Sequence, residues 1–162
     1  MKTSAVAVTG MLLIAMLPLS GGATSSSTPV NEPDAAANEV INISVEETWA
    51  MLQNESDGRE LVVDVRTFAE WFNERIDTPH SYDSPILYPL HFIEIPLFRQ
   101  LFHLAFQGKE VILYCRSANR SYIAGTMLVD EDFQGTLYNM AGGIVAWKAA
   151  GLPVVRGLGF GA

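Results

Sequence analysis

Cysteine is almost missing from this chain. Among 162 residues there is one, Cys115. A single cysteine cannot form an intramolecular disulfide, so no disulfide bond stabilises the folded chain. A lone cysteine is commonly just a small buried hydrophobic residue. Cys115, however, follows an apolar run and precedes two arginines and a helical pattern, and this position favours a chemical role.

Basic residues are also scarce. The chain carries 10 lysines and arginines against 18 aspartates and glutamates, which gives a formal net charge of −8. Nucleic acid binds proteins mainly through clustered positive charge, and such an acidic chain lacks it. We therefore expect no nucleic-acid partner.

Long apolar runs occur only at the amino terminus. Lys2 is followed by an uncharged stretch from Ala5 to Leu19 and then by small residues up to Ala23. This layout is typical of a secretory signal, so we predict a signal peptide over 1–23 and export to the periplasm or cell envelope. An uncleaved membrane anchor is the alternative. The stretch is short and interrupted by Pro18, so no stable membrane span is expected after cleavage.

The remaining chain is long enough for one domain with a proper core. Residues 24–40 are rich in Ser, Pro, Ala and Asn and have no apolar period, which predicts a flexible linker. The domain itself is expected over 41–157. Residues 158–162 should form a frayed tail.

Strand and helix patterns alternate through the domain. Ser44 with Glu47, and Thr67 with Glu70, fit capping boxes that begin helices. Apolar runs predict strands, and segments with helical spacing follow each of them. The order β-α-β-α predicts an α/β fold of three layers, a central mostly parallel sheet with helices on both faces. The expected strands are 61–65, 111–114 and 136–139, and the expected later helices are 97–106, 122–129 and 144–150.

The cysteine lies between the strand at 111–114 and the helix that contains Tyr122. A thiol at this turn faces unpaired backbone N–H groups and the positive end of a helix dipole. Arg116 and Arg120 add positive charge. All three features favour the thiolate form, so the loop is suited to hold an anion beside a nucleophile.

Three segments, in order, resemble the rhodanese family of sulfurtransferases. The loop Cys-Arg-Ser-Ala-Asn-Arg-Ser at 115–121 is similar to the family's active-site loop. Asp64-Val-Arg66 with Glu70 and Trp71 resembles a second family motif, and Gly-Gly-Ile-Val-Ala-Trp at 142–147 resembles a third. The resemblance implies that Cys115 takes sulfur from a small anionic donor such as thiosulfate or polysulfide, stores it as a persulfide, and yields it to a thiophilic acceptor such as cyanide or a thiol. A protein thiol is a possible partner.

The resemblance also assigns residues. Cys115 is the catalytic residue, Arg116 is expected to face the oxyanion of the donor, and Arg120 to face the loop. Asp64 and Arg66 are supporting residues, for which we favour a structural ion pair over a charge pair used in catalysis. The residues expected to bind the substrate are Arg116, Ser117, Ala118, Asn119, Arg120 and Ser121.

Two residues of the loop, Ala118 and Ser121, affect its backbone and the helix that follows. Ala118 stands where the family usually has glycine, and alanine would cost roughly 1 kcal/mol if the backbone there is left-handed. Ser121 is expected to cap the following helix and to donate to the persulfide, although capping alone would explain a serine. Glu70 is interpreted as a helix cap and not as a base.

Residues 77–91 depart from the family pattern. This segment contains three prolines and two histidines, and we interpret it as an inserted loop. In the family, one run of residues leads directly to the next strand, and here that role falls to Arg75-Ile76 and, later, to 93–97. His80 and His91 lie in the insertion and are candidates to border the active site.

Two other functional classes remain open. Phosphatases and arsenate reductases of this fold have five residues between the cysteine and arginine of their loop, whereas four separate Cys115 from Arg120. A non-catalytic module that binds a partner or senses sulfur is the second alternative. No histidine spacing fits a zinc site, so neither a metal nor a cofactor is expected.

Overall fold

A computed structural model describes residues 39–54 and 60–157, all within one compact unit of the chain, Asp34–Ala162. The predicted signal peptide, nearly all of the linker and the tail lie outside the described residues. Within the described ranges, no helix combines the length and apolar character that a membrane crossing requires.

The described chain contains seven strands and six α-helices. The strands are β1 Val40–Ile43, β2 Glu60–Asp64, β3 Arg75–Ile76, β4 Ile86–Leu87, β5 Glu110–Tyr114, β6 Thr136–Met140 and β7 Val154–Val155. The helices are α1 Val45–Leu52, α2 Phe68–Asn73, α3 Leu90–Ile93, α4 Pro96–Phe106, α5 Asn119–Val129 and α6 Gly143–Ala149. A short 3-10 helix, Ser81–Asp83, precedes β4.

Five of the strands form one parallel sheet in the order β1-β6-β5-β2-β4. The other two, β3 and β7, form a separate antiparallel pair. The central strand β5 shows why the sheet is buried on both sides: Val111 and Leu113 pack into one core, and Ile112 and Tyr114 into the other. Side chains alternate between the faces of a strand, so an uninterrupted apolar run fills both cores.

Helices cover both faces of this sheet. One core contains side chains of α3, α4 and α5, and the other contains side chains of α1 and α6. The largest fully buried side chain is Trp147 of α6, whose indole N–H donates to the Pro153 carbonyl at 2.7 Å. The predicted three-layer α/β fold is confirmed.

Both predicted capping boxes are present. The side chain of Ser44 accepts a hydrogen bond from the Glu47 N–H, and the Glu47 carboxylate accepts one from the Ser44 N–H. Thr67 and Glu70 make the same reciprocal contacts at the start of α2. Each box satisfies backbone donors that the first turn of a helix leaves unpaired.

The prediction for 77–91 was wrong in part. The edge strand β4 lies inside the segment that we interpreted as an inserted loop, and it pairs with β2 in parallel. Further along, α3 ends at Ile93 and α4 begins at Pro96, close to the predicted helix start at 97. Pro96 fits the first helical turn, where its missing N–H costs nothing.

Candidate active site

The loop around Cys115 follows directly from β5. The strand ends at Tyr114, and α5 begins at Asn119 after a tight turn. The carboxyl end of a central parallel strand therefore meets the amino end of a helix at this cysteine, as an open α/β sheet arranges its ligand sites. Cys115 is free and only 1% exposed.

Hydrogen-bond donors surround the sulfur. In its ionised form the sulfur accepts bonds from the Ser121 hydroxyl and from the backbone N–H groups of Ser117, Arg120 and Ser121. Burial alone raises the pKa of the Cys115 thiol, but these bonds outweigh it, and the pKa lies below that of an ordinary thiol. The loop therefore stabilises a thiolate in a site that is nearly closed to water.

Ala118 adopts the backbone conformation that the loop requires. Its φ is 72° and its ψ −10°, in the left-handed region, and it occupies the N-cap position of α5. Glycine reaches this conformation without cost, whereas the Cβ of alanine opposes it. The substitution of alanine for the family's usual glycine thus retains the turn but strains it.

Ser121 does not cap α5, contrary to the prediction. The helix starts two residues earlier, and no side chain caps it. Ser121 lies fully buried in the first turn, where its Oγ is 2.6 Å from Oδ1 of Asn139 and 3.1 Å from the Ala118 carbonyl oxygen. Some of the backbone N–H groups that surround the sulfur belong to the first turn of α5. Ser121 lies in that turn, and its hydroxyl faces the sulfur.

A second helix start supports the loop from outside. The N–H groups of Ile144 and Val145 in α6 donate to the carbonyls of Cys115 and Arg116 at 2.9 and 3.2 Å. Gly143, with φ of 58°, permits this approach, because a Cβ there would lie closer than 3.0 Å to the Cys115 carbonyl oxygen. The second glycine of the third motif, Gly143, therefore positions the loop.

Arg120 forms an ion pair with α2. Its Nη1 and Nη2 donate to Oε2 and Oε1 of Glu70 at 2.8 and 2.6 Å. The bonds from Arg120 hold the pKa of Glu70 at about 2, although partial burial opposes them. Glu70 is the helix cap that we predicted, and it also anchors the loop arginine. Nothing in the sequence pattern signalled this second contact.

Asp64 and Arg66 form a buried ion pair at the end of β2. Nη2 of Arg66 lies 2.6 Å from Oδ2 of Asp64, and the two side chains are 4% and 0% exposed. Arg66 also donates to the carbonyl of Glu74 at 2.7 Å. The favoured interpretation, a structural pair at the first crossover, agrees with these contacts.

Two cavities flank the loop arginines. One, of about 250 Å³, is lined by Arg116 together with Arg66, Glu70, Asn73, Glu74, Ile144, Val145 and Lys148. The other, of about 200 Å³, is lined by Arg120 and by Val65, Arg66, Thr67, Leu90, His91 and Glu94. His91, which the sequence made a candidate to border the active site, lines the cavity beside Arg120. Lys148 is paired with Glu74, whereas Arg116 has no ion-pair partner within residues 39–54 and 60–157.

A larger apolar groove, of about 550 Å³, lies away from this loop. Its lining is contributed by β4, α3, α4 and Tyr88, which lies between β4 and α3. The lining residues are Ile86, Leu87, Tyr88, Phe92, Phe98, Leu101, Leu104, Ala105 and Phe106. The groove contains no nucleophile and no charged side chain. The chemistry of the site therefore belongs to the smaller cavities beside the arginines.

Among the described residues, no three His, Cys, Asp or Glu side chains come together as a metal site would require. The aromatic ring of His103 packs against Phe133, with ring centroids 5.5 Å apart.

One further buried polar residue near the loop was not predicted from the sequence. This residue, Asn139, is 3% exposed at the carboxyl end of β6. A polar residue at that end of a parallel strand was the available signal.

Comparison with known proteins agrees with this geometry. A family model described as the rhodanese-like domain matches residues 44–150, more than half of the chain. A protein named sulfurtransferase from Allochromatium vinosum is 38% identical over 96 residues, which cover 59% of this chain and 78% of that protein.

Solved structures agree in fold. A thiosulfate sulfurtransferase from Pseudomonas aeruginosa aligns with a TM-score of 0.59 and 23% identity, covering 76% of this chain and 22% of that one. A rhodanese-related protein from Thermoplasma volcanium aligns with a TM-score of 0.54 and 22% identity, covering 71% of this chain and 97% of that one. At these identities the two structures establish the fold alone. The family model and the Allochromatium relative show more: this chain belongs to the rhodanese-like sulfurtransferase family.

Proposed function

We propose that this protein transfers sulfane sulfur from a small anionic donor, such as thiosulfate or polysulfide, to a thiophilic acceptor. The observation that carries the proposal is the environment of Cys115, whose sulfur accepts hydrogen bonds from three backbone N–H groups and the Ser121 hydroxyl. A buried thiolate is a strong nucleophile toward sulfur. The name of the Allochromatium relative, sulfurtransferase, supports the same reaction class.

The reaction has two displacements. The Cys115 thiolate attacks the outer sulfur of thiosulfate, a new S–S bond forms, and the donor S–S bond breaks to release sulfite with the bonding electron pair. The acceptor, a thiolate or cyanide, then attacks the outer sulfur of the persulfide, and Cys115 leaves as thiolate. Electrons balance without an external oxidant or reductant. This sequence gives ping-pong kinetics.

Arg116 is the residue proposed to hold the donor anion. It lines the cavity of about 250 Å³ and has no ion-pair partner within the described ranges. An arginine without a carboxylate partner retains its full charge and its forked donors for an oxyanion. The amides of Ser117 through Ser121 complete the anion site, and Arg120 is held by Glu70 and stabilises the loop.

Export is part of the proposal. The pattern of Lys2, the uncharged stretch to Leu19 and the small residues to Ala23 supports a cleaved signal peptide and a place in the periplasm or cell envelope. A protein thiol in that compartment is a candidate acceptor. Intact mass of the protein recovered from the periplasm, compared with the full chain, tests cleavage near Ala23.

Turnover distinguishes this function from its alternatives. The purified domain should convert thiosulfate and cyanide to thiocyanate, with parallel reciprocal plots when both substrates are varied. Cys115→Ala should abolish this activity. Hydrolysis of a phosphate ester or reduction of arsenate, without sulfur transfer, would favour the phosphatase or reductase alternative. Lack of all three activities in a folded, reduced protein would favour a binding module.

A further inference from the structure

A row of polar side chains connects the protein surface to the catalytic loop. Asn42 in β1 is exposed, and it is the register partner of buried Asn139 in β6. The side-chain Nδ2 of Asn139 donates to Oδ1 of Asn42 at 2.7 Å. On its other side, Oδ1 of Asn139 accepts from Oγ of Ser121 at 2.6 Å. Ser121 in turn reaches the sulfur of Cys115.

The contact with Asn42 determines which end of the Asn139 amide faces the loop. A side-chain amide has a donor end and an acceptor end. Because the donor end is engaged by Asn42, the acceptor end faces Ser121. While Oδ1 of Asn42 faces β6, reversing the Asn139 amide alone would set two oxygen acceptors against each other, so the contact disfavours the reversed orientation.

The Ser121 hydroxyl has one proton and three acceptors within reach: Oδ1 of Asn139 at 2.6 Å, the Ala118 carbonyl oxygen at 3.1 Å and the sulfur of Cys115. Asn139 is the nearer of the two oxygens and competes most directly with the sulfur. When it donates to Asn139, an oxygen lone pair is free to accept a hydrogen bond from the S–H of Cys115, which favours the thiol. When it donates to the sulfur, it favours the thiolate. Asn139 and the thiolate therefore compete for the same proton.

We propose that Asn139 is a positioning residue, which directs the Ser121 hydroxyl and thereby sets how readily Cys115 ionises, while Asn42 fixes the orientation of the Asn139 amide. The proposal rests on the proposed function only in taking Cys115 as the reactive nucleophile. It explains why a carboxamide lies buried at the end of an otherwise apolar strand beside the loop.

The charged side chains around Cys115 lie on elements other than β6, the strand that carries Asn139. Arg120 of α5 acts on Cys115 electrostatically and is itself paired with Glu70 of α2. Arg116 lies in the loop. The pair of Asp64 and Arg66 lies at the end of β2. A neutral substitution at Asn139 changes none of these charges, so its effect reports on the hydroxyl.

The test is the pH dependence of alkylation of Cys115 by iodoacetamide in the full domain, without any sulfur donor. Asn139→Leu removes the nearer competing acceptor and leaves the more distant Ala118 carbonyl, so it should lower the midpoint by roughly 0.4–1 pH unit, the equivalent of one hydrogen bond. Asn139→Asp keeps an acceptor, adds negative charge, and should raise the midpoint. In the Ser121→Ala background, Asn139→Leu should have no further effect.

An unchanged or raised midpoint in Asn139→Leu would overturn the proposal, as would an equal shift in the Ser121→Ala background. If the buried change prevents folding, Asn42→Ala on the surface provides the test, because a released amide can reverse and free the hydroxyl. A lowered midpoint in that variant supports the proposal, and an unchanged or raised one overturns it.

Sulfur transfer is measured separately on the same variants. Shifted midpoints in proteins that transfer no sulfur would remove the proposed function and leave the positioning role intact. Unshifted midpoints in proteins that still transfer sulfur would remove the positioning role alone.

Discussion

Glu70 and Arg120, 50 residues apart in the sequence, meet in a two-point ion pair, with N–O distances of 2.8 and 2.6 Å. The pair joins α2 to the first turn of α5 and therefore ties the second family motif to the catalytic loop. The carboxylate offsets the charge of Arg120, and for this reason we propose Arg116 as the cation that binds the donor anion.

Glu70→Gln should weaken the fold in a pH-dependent manner. The pKa of Glu70 in the folded protein is about 2, below its ordinary value of 4.5. The stability it provides is therefore complete above about pH 4.5 and is lost as the pH falls toward 2. Since both side chains are 31% exposed, screening limits the contribution to about 1 kcal/mol.

Urea unfolding of the wild type and of Glu70→Gln between pH 2 and 7 measures this difference. It should be about 1 kcal/mol at neutral pH and should vanish near pH 2. Glu131→Gln, which breaks the pair with Arg99, is the matched control and should cost less, because the Glu131 side chain is 41% exposed and makes one close contact with the arginine where Glu70 makes two. A difference that stays constant with pH would contradict the ion-pair explanation.

Ala118→Gly should stabilise the protein by about 1 kcal/mol, because glycine removes the strain of a left-handed backbone at φ 72°. Thermal unfolding measures the change. Ala50→Gly is the control, since Ala50 is exposed within α1 and glycine there should destabilise by about 0.5–1 kcal/mol. Equal destabilisation in both variants would show that residue 118 is not strained.

Gly143→Ala should damage the loop. The new Cβ would lie closer than 3.0 Å to the Cys115 carbonyl oxygen and, at φ 58°, would also strain the backbone. We expect a loss of about 3 kcal/mol or more in the free energy of unfolding, with slower alkylation of Cys115.

Gly151→Ala separates the two effects of that change. Gly151 has φ of 72° but nothing within 4 Å of an added Cβ, so alanine there should cost only about 1 kcal/mol and leave Cys115 unaffected. Similar losses of stability and reactivity in the two variants would argue against a specific role of Gly143 in holding the loop.

Arg116→Met should reduce kcat/KM for thiosulfate by roughly 10- to 100-fold, because one charge-assisted hydrogen bond contributes about 1.5–3 kcal/mol. Steady-state kinetics with thiosulfate and cyanide measure the effect. Lys148→Met is the control, since Lys148 lines the same cavity but is paired with Glu74. An equal or larger loss in Lys148→Met would contradict the assignment of Arg116 to the donor anion.

Local patterns predicted the central sheet and the loop well. The apolar run at 111–114 and the two capping boxes each determine structure through neighbouring residues. The strand β4 was missed because it has two residues, next to Pro85 and Pro89, and is formed only by pairing with β2. Short edge strands carry little periodic signal.

Contacts between distant segments could not be predicted. Nothing local in the sequence joins Glu70 to Arg120, or Asn42 to Asn139, since both contacts depend on how the sheet and its helices are ordered in space. The place of Ser121 was misjudged because Ala118, a poor N-cap residue, begins the helix through its left-handed backbone.

We propose that Cys115 carries sulfur, and intact mass tests this most directly. The reduced domain is weighed before and after incubation with thiosulfate or polysulfide, alongside Cys115→Ala. We expect a gain of the mass of one sulfur atom in the wild type, reversed by cyanide or a thiol and absent from the variant. A folded, reduced wild type that gains no sulfur from either donor would contradict it.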